Sequence, residues 1–438
     1  MTYLHLLKRL IGNKQIHNFG FLFSIQASNV LISIITIPLV VGAIGVEQLG
    51  VVDLSLSIVY TLNIIVSYGY NLSAPREVAI NFSDKKELSN IFSRVLYSKL
   101  VLATLLCISL ILASQSLEHF SRHSTILLFS ATVLFAEALL PHWLAQGLEK
   151  MHVLSIGNLV SKITYLGLLL WLVKSPEDSF RVNFLFGVSG IVANLFLIIY
   201  VTKYWGVSFR KVKLFEIWRS LKDNFYLFLS SIAGYVSINS GIIILSFFVT
   251  DYMLGAYSLA DRVVRVLRIV PTIVIQAIYP KASRLYMKDR QSFYAFLRKA
   301  YVLALAVCFF VSLAAFLFAP IIVELLAREH LAESINVLKT LAFVPFFACL
   351  NIANMILVLV SDNKRVLLKS TWISFLSMVV ICAGLAHPFG ALGLAVGLLL
   401  TEVLIFVVQL YFNLRSIRAD TLSFYSLNKF FLPLKASN

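Results

Sequence analysis

The chain has 438 residues, of which 59% are hydrophobic and only 13% charged, and its formal net charge is +16. A water-soluble domain is about a quarter charged, so too little polar surface remains here to wrap a soluble core. With a mean hydropathy of +0.88, the chain reads as a polytopic membrane protein.

In chain order, Lys8, Arg9 and Lys14 come first, without the short apolar core and small-residue cleavage site of a signal peptide. About twelve apolar spans follow, near 18–44, 50–73, 95–115, 124–147, 153–173, 182–202, 224–249, 256–280, 300–320, 335–360, 369–387 and 389–413. The last two are separated only by His387-Pro388-Phe389-Gly390. The expected class is therefore an all-α polytopic membrane protein.

The loops alternate in charge. The N-terminus, the second loop (Arg76, Lys85, Lys86, Arg94), the sixth (Lys203, Arg210, Lys211, Lys213, Arg219, Lys222), the eighth (Lys281, Arg284, Lys288, Arg290, Arg298, Lys299), the tenth (Lys364, Arg365, Lys369) and the tail (Arg415, Arg418, Lys429, Lys435) are basic. The intervening loops are short and carry few cations, such as Arg122, Lys174, Arg181 and Arg328. By the positive-inside rule both termini are cytoplasmic. The positive charge then answers to topology and anionic membrane lipid, with no nucleic-acid partner.

The two halves repeat. At an offset of about 205, Leu49-Gly50 matches Leu254-Gly255, Pro75-Arg76 matches Pro280-Lys281, and Asp84-Lys85 matches Asp289-Arg290. Asn18-Phe19 matches Asn224-Phe225, while Glu149-Lys150 and Asn363-Lys364 end the fourth and tenth spans at a larger offset. Six spans per half in one orientation make a parallel repeat about an axis along the membrane normal. The expected division is a six-helix lobe at 1–205, an amphipathic interfacial linker at 206–222, a second six-helix lobe at 223–414 and a basic cytoplasmic tail at 415–438.

The eighth span contains AYSLADRVVRVLRIVPTIVIQAIYP. Wound at 100° per residue, Ser258, Asp261, Arg262, Arg265, Arg268, Thr272, Gln276 and Tyr279 share one arc, and Pro271 is placed to kink the helix. The repeat-related face of the second span carries Asp53, Ser57, Tyr60, Asn63, Ser67 and Asn71. Arg262 lies about 9 Å and Arg268 about 18 Å below the outer helix end, and the deeper one is out of reach of easy snorkelling. Three arginines on one face need water, acidic partners or an anionic ligand. Internal pairing is one reading. A cationic wall for a phosphate-bearing substrate, suited to the planar guanidinium fork, is the other.

Glu137 and Lys162 lie at similar depth on adjacent spans, about 14 Å from the cytoplasmic end by residue count. They make either a structural pair or part of a coupling-ion site. Glu402 has no evident partner in the sequence. His119 and His123 have metal-pair spacing but no further ligand nearby, so no metal site is expected. Cys107, Cys308, Cys349 and Cys382 fall in apolar stretches without paired spacing and read as buried thiols. With no nucleotide loop, zinc motif or nucleophile constellation, neither a cofactor nor an enzyme is expected.

GVEQLGVVDLSLSIVYTLNIIVSYGYNLSAPREVAI, WLAQGLEKM and LGAYSLADRVVRVLRIVPTIVIQAIYPKASRL resemble the second-, fourth- and eighth-span regions of Wzx O-antigen flippases, members of the multidrug/oligosaccharidyl-lipid/polysaccharide exporter superfamily. The resemblance implies two six-helix lobes forming a V, with a cavity lined by the first, second, seventh and eighth helices. It implies transfer of undecaprenyl-pyrophosphate-linked oligosaccharide across the bacterial inner membrane for lipopolysaccharide synthesis. The pyrophosphate would engage Arg262, Arg265 or Arg268. The sugars would meet the neutral residues Tyr60, Asn63, Asn71 and Gln276. A coupling cation, proton or sodium, would use Glu137, Asp261 or Asp53. An O-antigen polymerase and a chain-length regulator are the further partners implied. A multidrug exporter, or an exporter of another lipid-linked precursor, is the alternative within the superfamily; multidrug members usually carry cations, which the arginine stripe disfavours.

Overall fold

The structure, a computed structural model, describes residues 14–116, 121 and 123–425, with residues 14–31 and Lys364 by backbone alone. Lys8, Arg9, His119, Arg122, Lys429 and Lys435, on which several of the expectations above fall, lie outside the described residues. The described residues are helical and contain no strand.

Ten described helical stretches are long and apolar enough to cross a membrane. Two are far too long for one crossing. Helix α1 (Lys14–Ser67) has 54 residues, about 80 Å at 1.5 Å per residue, against a hydrocarbon core of about 30 Å. It breaks at Gly45, whose φ of 78° only glycine adopts without strain. The penultimate helix, Lys364–Ser416, breaks likewise at Gly390. There the fold-back is visible. A Cβ on Gly393 would sit 1.9 Å from the Leu385 carbonyl oxygen, and one on Gly397 would sit 3.1 Å from Cys382 Cα. Residue 393 opposite 385 and 397 opposite 382 is the register of two antiparallel helices. Counting both breaks, twelve crossings result.

The chain divides into two compact units between Ile243 and Ile244. In the first, α1 is followed by α2 (Tyr70–Ile80), α3 (Lys85–Ser116), α4 (Ser124–Ser130), α5 (Thr132–Leu139), α6 (His142–Gly147), α7 (Met151–Leu172), α8 (Ser179–Tyr204) and α9 (Leu214–Leu245). The second holds α10 (Asp251–Leu267), α11 (Ile269–Lys288), α12 (Arg290–Leu317), α13 (Ala319–Ala327), α14 (Ala332–Leu341), α15 (Val344–Leu350), α16 (Ile352–Val360), α17 (Lys364–Ser416) and α18 (Arg418–Tyr425). The repeat counts α9, the seventh span, with the second half. Its contacts lie with the first unit: Tyr68 stacks on Phe228 with centroids 4.3 Å apart, and the Tyr70 hydroxyl meets Ser220 Oγ at 2.8 Å.

The repeat is visible in how helices fail. The fourth span is three pieces, α4 to α6, and so is the tenth, α14 to α16. Each ends on a non-glycine residue of positive φ, Glu149 at 55° and Asp362 at 50°. Pro141 has no N–H, and the Leu140 N–H turns to Glu137 O at 3.3 Å, so the Ala136 carbonyl loses its helical partner. Asn194 Nδ2 on α8 donates to that carbonyl at 2.8 Å. In the second unit the Tyr301 hydroxyl donates to the Leu350 carbonyl at 3.0 Å, next to the break at Asn351. Such replacements are obligatory where no water reaches the backbone.

Of residues 206–222, those from Leu214 onward are the first turns of α9. The stretch ahead of α9 is extended and laid along α3: the Ser208 N–H donates to Ser89 Oγ at 3.0 Å and the Arg210 N–H to Ser93 Oγ at 2.8 Å. Two extended residues advance about 6.6 Å and one i→i+4 helical step about 6 Å, so each serine meets the next strap amide in step. Leu214, Phe215 and Trp218 on the first turns of α9 are exposed, as suits a membrane interface.

The tail is not simply a free basic segment either. Helix α18 is docked by an acid. Asp420 accepts from the Tyr286 hydroxyl at 2.7 Å, from Arg290 Nη1 at 3.2 Å and from the Tyr294 hydroxyl. Phe424 is fully buried in the core of the second unit, and Tyr425 donates to Asn354 Oδ1 at 3.1 Å. Hydrogen bonds to a charged group contribute about 1.5–3 kcal/mol each. Asp420→Ala should therefore lower stability by on the order of 3 kcal/mol, read as earlier thermal unfolding of purified protein in detergent, while Asp420→Asn should retain part of it. Equal melting of wild type and Asp420→Ala would show that the helix is held by Phe424, Tyr425 and the Arg298 contacts with its backbone, without the acid.

Candidate functional site

Helix α10 starts at a Thr250 cap, whose hydroxyl accepts from the Met253 N–H at 3.5 Å. Its first turns, Leu254 to Ala260, are buried all round, as is Val264, and Ser334 Oγ on α14 donates to the Ala256 carbonyl at 2.8 Å. Beyond them Asp261, Arg262, Arg265 and Arg268 share one arc of the helix and are all part-exposed. The arc read from sequence treats the span as one helix. The structure breaks it at Arg268, three residues before Pro271, because the proline cannot donate to the Leu267 carbonyl. Thr272, Gln276 and Tyr279 stand on α11, beyond that break, and are exposed.

Arg265 and Arg268 each pair with an internal acid. Asp261 receives Arg265 through Nε at 2.6 Å and Nη2 at 2.5 Å, an i,i+4 pair on one helix. Arg268 pairs through Nη2 with Glu402 on the second arm of α17. Glu402, without a partner in the sequence reading, thus acquires one only through the Gly390 fold-back. Nearby lie Tyr257, fully buried, and Cys382, also buried and packed against Gly397. An anion arriving at Arg265 or Arg268 meets a carboxylate already in place.

The neutral stripe of the second span is also interrupted. Asp53, Ser57 and Ser67 are buried on α1, and Tyr60 and Asn63 are half-buried. Tyr68 and Gly69 then take positive φ, and Asn71 stands on α2. Gly69 is required at that turn, since a Cβ there would sit 2.9 Å from Leu227 Cβ. The amide oxygens Oδ1 of Asn63 and Asn71 are buried without a hydrogen-bond partner among the described residues.

The expected Glu137–Lys162 pair is not what forms. Glu137 Oε1 accepts from Lys99 Nζ at 3.1 Å and from Ser67 Oγ at 2.9 Å. Lys162 instead lies over the Phe186 ring, 4.1 Å from its centroid. Residue counting put the two at equal depth but could not say which way each helix turns. Lys99 escaped notice because it lies only four residues inside its span, where a lysine ordinarily snorkels to the headgroups. Here its side chain is 1% exposed. Glu137, Lys99 and Ser67 tie α5, α3 and α1 together in the first unit. His142, at the start of α6, faces the same carboxylate. Buried Asp53 lies apart from this trio on α1 and belongs to the stripe.

Comparison with known proteins agrees with this architecture. The chain is 25% identical over 396 residues to a candidate O-antigen transporter of Escherichia coli (strain K12), covering 90% of this chain and 95% of that one. It is 29% identical over 400 residues to its counterpart from Shigella dysenteriae, covering 90% and 98%. Among solved structures it is similar in fold to an inward-facing multidrug resistance MATE family transporter of the MOP superfamily, with a TM-score of 0.73, 16% identity and coverage of 90% and 94%. It is also similar to the lipid II flippase MurJ in an inward closed conformation, with a TM-score of 0.71, 14% identity and coverage of 94% and 92%. Residues 16–286, well over half of the chain, match the model of a family described as polysaccharide biosynthesis protein, and the chain belongs to that family.

Proposed function

We propose that this protein is a flippase carrying undecaprenyl-pyrophosphate-linked O-antigen units from the cytoplasmic to the periplasmic leaflet of a bacterial inner membrane, by ion-coupled alternating access and without catalysis. The observation that carries it is the arc of α10 that sets Arg262, Arg265 and Arg268 together, part-exposed, within an apolar span. The names of the two curated relatives and the flippase fold support the same reading. The pyrophosphate engages Arg262, Arg265 and Arg268. Sugar hydroxyls meet the neutral residues Tyr60, Asn63 and Asn71, with Gln276. Glu137, Asp261 and Asp53 are the candidates for a coupling proton or sodium ion. Six spans on either side of 206–222 form the moving halves, with both termini cytoplasmic. A multidrug exporter is the second reading, favoured by the MATE-like fold and opposed by the sign of the charge.

The test is surface O-antigen in a strain lacking its own flippase, with protein levels matched by blot. Each phosphate-bound guanidinium is worth about 1.5–3 kcal/mol, so Arg268→Ala should cut export by about tenfold or more. Arg268→Lys should keep some export, since the charge survives but the fork does not. Arg268→Ala/Glu402→Gln, which leaves no unpaired carboxylate, should stay defective. Normal export by all three single alanine variants would overturn the reading.

A further inference from the structure

The two ion pairs of the arginine cluster differ in kind. Arg265 and Asp261 sit one turn apart on a single helix and join through two nitrogens, so no movement of one helix against another can part them. Arg268 and Glu402 belong to different helices and meet through one guanidinium nitrogen. Arg268 also stands at the junction between α10 and α11. Glu402 rides on the arm beyond Gly390, a glycine of φ 57°. Among the described residues, Arg268 is the cation that meets Glu402. Near the pair stand Asp261, Arg265 and Tyr257 on α10 and Cys382 on the first arm of α17. Neither the tyrosine nor the thiol brings a second positive charge.

From this geometry we infer that Glu402 is a displaceable counter-ion, a stand-in for the substrate's phosphate. Phosphate oxygens take the Arg268 nitrogens, the Arg268–Glu402 contact breaks, and the released carboxylate takes a proton from water to become a neutral acid. The inference rests on the pyrophosphate reading above. Its physical basis is that a carboxylate stripped of its cation in a low-dielectric site is stabilised by protonation. Arg268 exchanges one anion for another and keeps its pairing throughout. Substrate arrival and proton uptake thereby become one event, and departure of the substrate reverses both. Asp261 has no such freedom, since Arg265 holds it within its own helix. Glu402 is a positioning residue in this scheme: it acts on the substrate through Arg268.

The test is calorimetry on the purified protein in detergent with a farnesyl-pyrophosphate-linked monosaccharide, a diester whose phosphates keep one charge state around neutral pH. Titration in two buffers of different ionisation enthalpy gives the protons taken up per ligand bound. Wild type should take up about one. Glu402→Gln should take up none and bind about tenfold more tightly, because the competing carboxylate is gone. Arg268→Ala should bind weakly. Wild type binding without proton uptake would overturn the inference, and that measurement needs no variant to fold. Undiminished proton uptake in Glu402→Gln would overturn it as well. Binding by Arg268→Ala equal to wild type would instead sink the pyrophosphate reading itself.

Discussion

Glu137→Gln alone should destabilise the protein by about 3–5 kcal/mol, the usual cost of removing one partner from a buried ion pair. The residue left behind is Lys99, whose ammonium has 1% exposure and sits against the carboxylate at 3.1 Å. Ser67 can still donate to the glutamine amide oxygen, so the loss falls on the lysine charge. Because these groups join α1, α3 and α5, the loss should appear as loosening of the first unit. Glu137→Gln combined with Lys99→Met should recover most of the stability, since a neutral pair of similar volume needs no compensating charge. Glu137→Gln combined with Lys162→Met should recover nothing, because Lys162 faces Phe186. Thermal melting in detergent separates these outcomes. Rescue by Lys162→Met rather than Lys99→Met would restore the pairing read from sequence. If the Lys99 double variant folds as wild type but exports no O-antigen, the pair belongs to ion coupling as well as to the fold.

Gly393→Ala should be the most damaging single-methyl change in the second unit. The added carbon would lie 1.9 Å from the Leu385 carbonyl oxygen, a backbone atom that cannot rotate away. The arms of α17 would have to separate, at about 2–3 kcal/mol by the usual cost of overpacking. Because Glu402 rides on the second arm, its contact with Arg268 should loosen too. Gly384→Ala is the control. It lies on the same helix with nothing within 4 Å, so its substitution should be neutral or stabilising by up to about 1 kcal/mol. Comparable melting curves for the two variants would mean that the hairpin does not close in the register described here.

Much of the fold was legible in the sequence because lipid imposes simple rules. Each crossing needs a continuous apolar run, and the twelve runs are where the crossings lie. The repeat, at a larger offset there than its usual 205, likewise marked Glu149 and the Asn363 region as equivalent ends, and each span closes on a residue of positive φ there. The Gly390 fold-back was readable from the four residues separating the last two spans. The arginine face of α10 was readable too, since a helical arc follows from spacing alone.

What only the tertiary structure decided is who meets whom. A helix's sequence specifies which residues share a face but not the rotation of that face against its neighbours. Lys162 therefore looked like the partner of Glu137, and Lys99 looked like a snorkelling residue. Glu402 found Arg268 only through a fold-back more than a hundred residues away. The Pro271 kink also moved to Arg268, because a proline frees the carbonyl four residues earlier and the turn loosens on that side. Docking of α18 through Asp420 was equally hidden, since one acid in a basic tail has no local signature. Composition and periodicity thus determined the spans and the charge each carries, while side-chain pairing across spans, a property of packing in three dimensions, determined which of those charges are already satisfied.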